Sequence, residues 1–191
     1  WFVCYHARDS AYLESKYPNI DKTTTDVRNC SITNYIDSMD YISSLGGYAV
    51  RIGSVVNTRL DITHNPKIID YASDFQSDFG DIYLLAKCKF FVGCNSGITA
   101  VPVMFNVPVI ESNCLVMPII PPNNFVEYRA LSNRDLFLPK PIFSKHKDRP
   151  LRLNEIFSSQ VQYFDNGDKY SEFNLMSLEN SSADILEITK E

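Results

Sequence analysis

The sequence predicts an α/β fold built on a parallel sheet with crossover helices. Three observations carry that expectation. Short apolar runs stand at residues 1–5, 48–52 (interrupted by Arg51), 90–92 and 107–110, and strands buried on both faces read this way. Between them, apolar residues recur at helical spacing. Strand and helix alternate at a pace that leaves room for the helical connection parallel strands need.

Each element follows in order. Residues 1–5 form the first strand, and the polar stretch 23–29 is a loop. Ile32, Tyr35, Ile36, Met39, Ile42 and Leu45 fall on one helical face, and Gly46-Gly47 closes that helix as a C-terminal cap. Residues 48–52 form the second strand, Gly53 turns the chain, and 67–69 form a short third. Asp81 opens the next helix, with Ile82, Leu85, Ala86 and Cys88 on its inner face. After the strand 90–92, Ser96-Gly97 starts a helix over 98–105, and 107–110 is a strand containing Pro108. Residues 113–150 are Pro-rich and read as irregular, while 154–164 and 182–190 close the chain as helices. The whole is expected to be one Rossmann-like domain over 1–191. Because it opens inside a strand, the chain is expected to be a fragment with an upstream domain missing.

Composition narrows the function. Of 191 residues, 45% are hydrophobic and 13% aromatic, which is globular rather than disordered. A net charge of -5 argues against a nucleic-acid binder. A small anionic ligand stays open, since it needs only one or two placed arginines. The cysteines (Cys4, Cys30, Cys88, Cys94 and Cys114) form no C-x-x-C and read as reduced, buried thiols of a cytoplasmic protein, with no metal site. No apolar run reaches the roughly 18 residues of a membrane helix. The Asn-x-Ser triplets at Asn29 and Asn180 read as chance. Lys140, Lys145, Lys147 and Arg149 read as a solvated loop.

In open parallel sheets, ligands sit outside the carboxyl ends of the strands. After the first strand come His6, Arg8 and Asp9; alternation puts His6 and Arg8 on one side, and an arginine there can clamp a phosphate. At the end of the second strand stands Arg51, before Gly53; its partner is either a structural carboxylate or a ligand phosphate. After the strand 90–92, Asn95, Ser96 and Gly97 form a small-residue turn, with Ser96 a plausible helix cap. Asp81 either caps its helix or accepts hydrogen bonds from a sugar or base. Asp9 and Glu14 are candidate general bases toward an acceptor hydroxyl.

These segments resemble a family. The run Trp1-Phe2-Val3-Cys4-Tyr5-His6-Ala7-Arg8-Asp9-Ser10 is similar to the W-F-V-x-x-H-x-R-(D/E)-S start of a family of bacterial glycosyltransferases of the GT-B architecture, most without characterised substrates. Arg28-Asn29-Cys30-Ser31-Ile32 with Asn34-Tyr35 resembles its R-N-x-x-I-x-N-Y stretch. Residues 46–53 resemble G-G-x-V-V-R-M-G, and 81–97 resemble D-x-x-L-x-A-x-x-F-F-x-G-x-x-S-G. Asn180 with Ile185 and Glu191 resembles its final helix. In that family these segments form the C-terminal, donor-binding half. The wider resemblance is to fucosyltransferase-type GT-B enzymes, which implies Arg8 on the donor diphosphate and Asp81 and Ser96 near base or phosphate. It implies an inverting, metal-independent transfer, with a nucleotide sugar as donor, a glycan or other hydroxyl compound as acceptor, and no cofactor. Two departures stand out. Gly97 replaces the Ser or Thr that often follows the conserved-type Ser, and the Glu-x7-Glu of retaining enzymes is absent. The competing expectations are a catalytically idle nucleotide- or phosphate-binding module, a GT-B-type nucleotide-sugar epimerase, and a phosphate-ester hydrolase.

Overall fold

The computed structural model describes residues 1–19, 26–61, 64–115 and 134–191. Its centre is a six-stranded sheet in the order β3-β2-β1-β4-β5-β6, with every neighbouring pair parallel. The strands are β1 (Phe2–His6), β2 (Tyr48–Arg51), β3 (Ile68–Ile69), β4 (Phe91–Gly93), β5 (Val109–Cys114) and β6 (Leu136–Pro139). This is the Rossmann-like order, in which the chain winds outward from β1 in both directions.

Alternation along the strands divides the core. Val3, Tyr5, Ala49, Val92 and Ile110 pack on one face with Tyr35, Met39, Ile42 and Ile185. Cys4, Val50, Phe91 and Val109 pack on the other with Ile52, Tyr71 and Leu85. The first face is covered by α2 (Ile36–Ser44), entered through a 3-10 turn at Ile32–Tyr35, and by the last helix, Ser182–Lys190. A buried hydroxyl chain ties the layers: Tyr5 to Ser38 at 2.9 Å, and Ser38 to Thr189 at 2.8 Å. The second face carries α3 (Tyr71–Asp74), α4 (Asp78–Lys87) and α5 (Ala100–Met104).

The spacing of Ile32 to Ile42 matches the buried face, but Leu45 is 55% exposed, because the helix has already ended. Gly46 takes φ +89°, the left-handed value that glycine adopts without a Cβ penalty. Several expectations need correction. The helix assigned to start at Asp81 starts at Asp78, because the Ser77 hydroxyl accepts from the Gly80 amide at 3.1 Å. Asp81 therefore lies inside the first turn, and Ile82 is 45% exposed rather than on the inner face. Pro108 precedes β5, where it needs no amide; its carbonyl accepts from Phe91 N at 2.9 Å. The helix expected over 154–164 is split into α6 (Leu153–Phe157) and a 3-10 turn at Gln160–Tyr163. The Ser159 hydroxyl caps the second piece by accepting from Val161 N, so it competes with helix continuation.

Residues 113–150 are not irregular where they are described. They hold the end of β5, β6, and two strands of a small antiparallel sheet ordered β8-β7-β9. That sheet is β7 (Ile142–Ser144), β8 (Arg149–Pro150) and β9 (Leu175–Ser177), and α7 (Gly167–Glu172) packs beside it. Its core gathers Ile142, Ile156, Phe164 and Tyr170. Residues 23–25 of the expected loop and 116–133 of the Pro-rich stretch lie outside the described residues. Asn180 is 2% exposed and exchanges backbone and side-chain hydrogen bonds with Asn113, at 2.6 and 2.8 Å. All five cysteines are free and buried, and no helix among the described residues is long and apolar enough to cross a membrane.

Arg51 has the structural partner. It is 1% exposed, lies 3.4 Å from Asp70, and also donates to the Thr58 carbonyl. Asp70 in turn accepts from Leu60 N at 2.9 Å and Ser73 Oγ at 2.7 Å, so the pair pins the loop after β2. Removing one partner of a buried pair strands the other's charge. We therefore expect Asp70→Ala to lose about 3–5 kcal/mol in denaturant unfolding; a loss below about 1 kcal/mol would contradict this assignment.

Candidate functional site

The strand order reverses between β1 and β4, so the connections leaving their carboxyl ends diverge and open a crevice. The register sets His6 opposite Gly93. Beyond that point lies a cleft of about 620 Å³. One wall is the segment after β1, with His6, Arg8 and Asp9, continued by Tyr12 and Leu13 of α1 (Ala11–Lys16). Gly53 to Val55, after β2, form a second. A third is the first turns of α4, with Asp78, Asp81 and Ile82, and a fourth is Ser96, Gly97 and Ile98 after β4. Arg28 completes the lining from the loop before α2.

His6 bridges two walls. Its Nδ1 is 3.0 Å from the Ile52 carbonyl and its Nε2 is 3.1 Å from Ser96 Oγ. A carbonyl only accepts, so Nδ1 carries the proton and the neutral ring accepts the Ser96 hydroxyl at Nε2. Burial pushes the His6 pKa down, partly opposed by the Ile52 bond. Ser96 holds the N-cap position of the 3-10 turn Gly97–Thr99, as expected, but it spends its hydroxyl on His6 and makes no side-chain cap.

The Arg8 backbone is gripped on both sides. Its amide donates to Cys94 Sγ at 3.0 Å, and its carbonyl accepts from Cys30 N at 3.0 Å. Its guanidinium donates to Asn29 Oδ1. Burial lowers the Arg8 pKa first, and the neighbouring Arg28 charge lowers it further. The guanidinium remains charged.

Asp81 is 8% exposed. Its Oδ2 accepts from Gln76 at 3.1 Å, while its buried Oδ1 has no hydrogen-bond partner. Burial raises its pKa, and Asp78 adds to that. A buried carboxylate oxygen without a donor is costly, so this atom suits an N–H or O–H brought by a ligand.

The structure brings His6, Arg8, Asp9, Gly53, Asp81, Ser96 and Gly97 together and leaves three others apart. Arg51 pairs with Asp70 and does not line the cleft. Asn95 donates to the buried Glu111 at 3.0 Å. Glu14 is exposed on α1 and does not line the cleft. Asp9 lines it, with Oδ1 on the Ala11 amide at 3.0 Å and Oδ2 on the Asn57 amide at 2.9 Å. A Cβ at Gly97 would meet nothing within 4 Å, so the fold does not require glycine there. Sequence reasoning missed Arg28 as a lining residue, because it follows no strand. It also missed the apolar rim of Tyr12, Val55 and Ile82: the first two carry no periodic signal, and the spacing of Ile82 assigned it to the buried helix face.

The His6 assignment has a measurable consequence. The folded pKa lies below the ordinary 6.5, so the unfolded chain takes the proton first as pH falls. Stability contributed by the neutral ring is intact above that value and declines below it. We expect nitrogen NMR to show a neutral, Nδ1-protonated ring across pH 6.5–8; titration at or above the ordinary value would contradict the geometry.

Comparison of the chain with family models, curated proteins and solved structures finds no match.

Proposed function

We propose that the cleft binds a nucleotide-diphosphate sugar, and that the chain is the donor-binding, C-terminal half of a GT-B glycosyltransferase that passes the sugar to a hydroxyl acceptor. One observation carries the reading: Arg8 and Asp81, the latter with its buried Oδ1 lacking a hydrogen-bond partner, line a single crevice at the strand reversal. A ligand that meets both must offer negative charge at one place and a hydrogen-bond donor at another. A nucleotide sugar does so, with its diphosphate for Arg8 and its base or sugar donors for Asp81. Val55, Ile82 and Ile98 supply apolar surface for a ring between them.

In this reading Arg8 stabilises the charge that develops on the departing nucleoside diphosphate, so transfer is metal-independent. Inversion needs a base on the acceptor hydroxyl. Asp9 is the candidate base that lies on the cleft, and its two amide bonds fix its position. Those same bonds favour the second reading, a catalytically idle nucleotide-binding module, since both carboxylate oxygens already accept. Acceptor-dependent turnover separates the two, and turnover that inverts a sugar centre without an acceptor would indicate an epimerase instead.

Calorimetric titration with GDP, UDP, CDP and ADP, with and without EDTA, tests the binding claim. We expect one of them to bind in either condition. Arg8→Ala should weaken it about ten- to hundredfold, the range of a charge-assisted hydrogen bond. A folded chain that binds none of the four would overturn the reading.

A further inference from the structure

We propose that Arg28 is a second anion-binding arm of the cleft, aimed by the buried Lys140, and that the pair fits the site to two linked phosphates rather than one. The inference rests on the cleft being a nucleoside diphosphate site, and it adds the residues that set its charge specificity.

Lys140 belongs to the stretch that reads from sequence as a solvated loop, and there the structure reverses the expectation. It follows β6 directly and is 4% exposed. Its backbone amide donates to the Cys114 carbonyl at 2.9 Å, which fixes its stem to the sheet. Its ammonium donates to the Val27 carbonyl at 2.9 Å and to the Asn29 carbonyl at 2.6 Å. These two carbonyls flank Arg28. A buried ammonium is costly unless its donors are used, and here they hold both sides of one residue. Lys147 and Arg149 of the same stretch instead pair with Glu155 near the surface.

Arg28, held in that way, lines the cleft together with Arg8. Its Nε is buried and has no hydrogen-bond partner. Asn29 links the arms covalently and through space, because it follows Arg28 in the chain and accepts from the Arg8 guanidinium. The three cations are close enough to feel one another's charge. Arg28 depresses the Arg8 pKa, and Arg8 contributes to depressing that of Lys140, behind the larger effect of burial. Asp26 lies close enough to oppose part of this, and it also accepts from the Asn29 amide at 3.0 Å. Two guanidinium forks on one cleft suit two linked phosphates, because one phosphate cannot span two forks as well as two can.

The test uses the whole chain and two base-free probes, inorganic pyrophosphate and inorganic phosphate, with affinities from calorimetry and folding checked by thermal unfolding. The readout is the ratio of the two affinities. Wild type should prefer pyrophosphate about tenfold or more. Arg28→Gln should weaken pyrophosphate about tenfold and phosphate about twofold at most, collapsing the ratio. Arg28→Lys should restore part of it, as a charge without the fork. Lys140→Met should collapse the ratio as Arg28→Gln does, whereas a purely structural role would lower both affinities together. An unchanged ratio in Arg28→Gln, or no wild-type preference, overturns the proposal. If pyrophosphate binds with the expected ratio but no nucleoside diphosphate binds, the nucleotide reading fails and the two-armed anion site stands.

Discussion

Where β1 pairs with β4, His6 stands opposite Gly93, and the cleft follows from that register. Parallel neighbours leave the sheet on the same edge, but their connections part because β2 lies on one side of β1 and β5 on the far side of β4. His6 then crosses the gap, holding the Ile52 carbonyl on one side and the Ser96 hydroxyl on the other. Slippage by one residue would send His6 to the opposite face and separate these walls. Arg8 depends on the same register, since its amide reaches Cys94, one residue beyond β4.

The strand-end arginines show how the fold separates structure from candidate function. Arg51 ends β2 and is met by Asp70, whose carboxylate also serves Leu60 and Ser73. Through Nη1 Arg51 holds a loop, while its Nη2 is buried without a hydrogen-bond partner. Arg8 follows β1 and meets an amide oxygen from Asn29 and a second guanidinium. Two arginines on one crevice, beside a buried carboxylate oxygen without a donor, suit an anion that also bears donor groups.

The sheet was legible because its strands are buried on both faces, so residues 1–5, 48–52 (interrupted by Arg51) and 90–92 stand out as apolar runs. His6, Arg8, Ser96 and Gly97 were legible because ligand sites follow strand ends. The start of α4 was missed because Ser77 and Asp78 precede the apolar periodicity, although a serine before an acidic residue is itself a cap signal. The small antiparallel sheet was hidden by proline-rich composition. Arg51 could not be assigned from sequence, since its partner lies 19 residues away and is reached only through the folded loop. Arg28 and Lys140 are the furthest from sequence reasoning. Lys140 reaches the carbonyls of Val27 and Asn29, on either side of Arg28, from over a hundred residues away, and a lysine in a basic stretch carries no mark of burial.

The central claim is that the crevice at the β1–β4 reversal is the ligand site. The most direct measurement is hydrogen exchange across the chain with and without saturating nucleoside diphosphate. The account predicts added protection at residues 6–9, around Arg28, in the first turn of α4 and at residues 96–98, with the antiparallel sheet unchanged. Protection centred instead on the shallow hollow of about 320 Å³ near Tyr163 and Phe173, with none at residues 6–9, would contradict it.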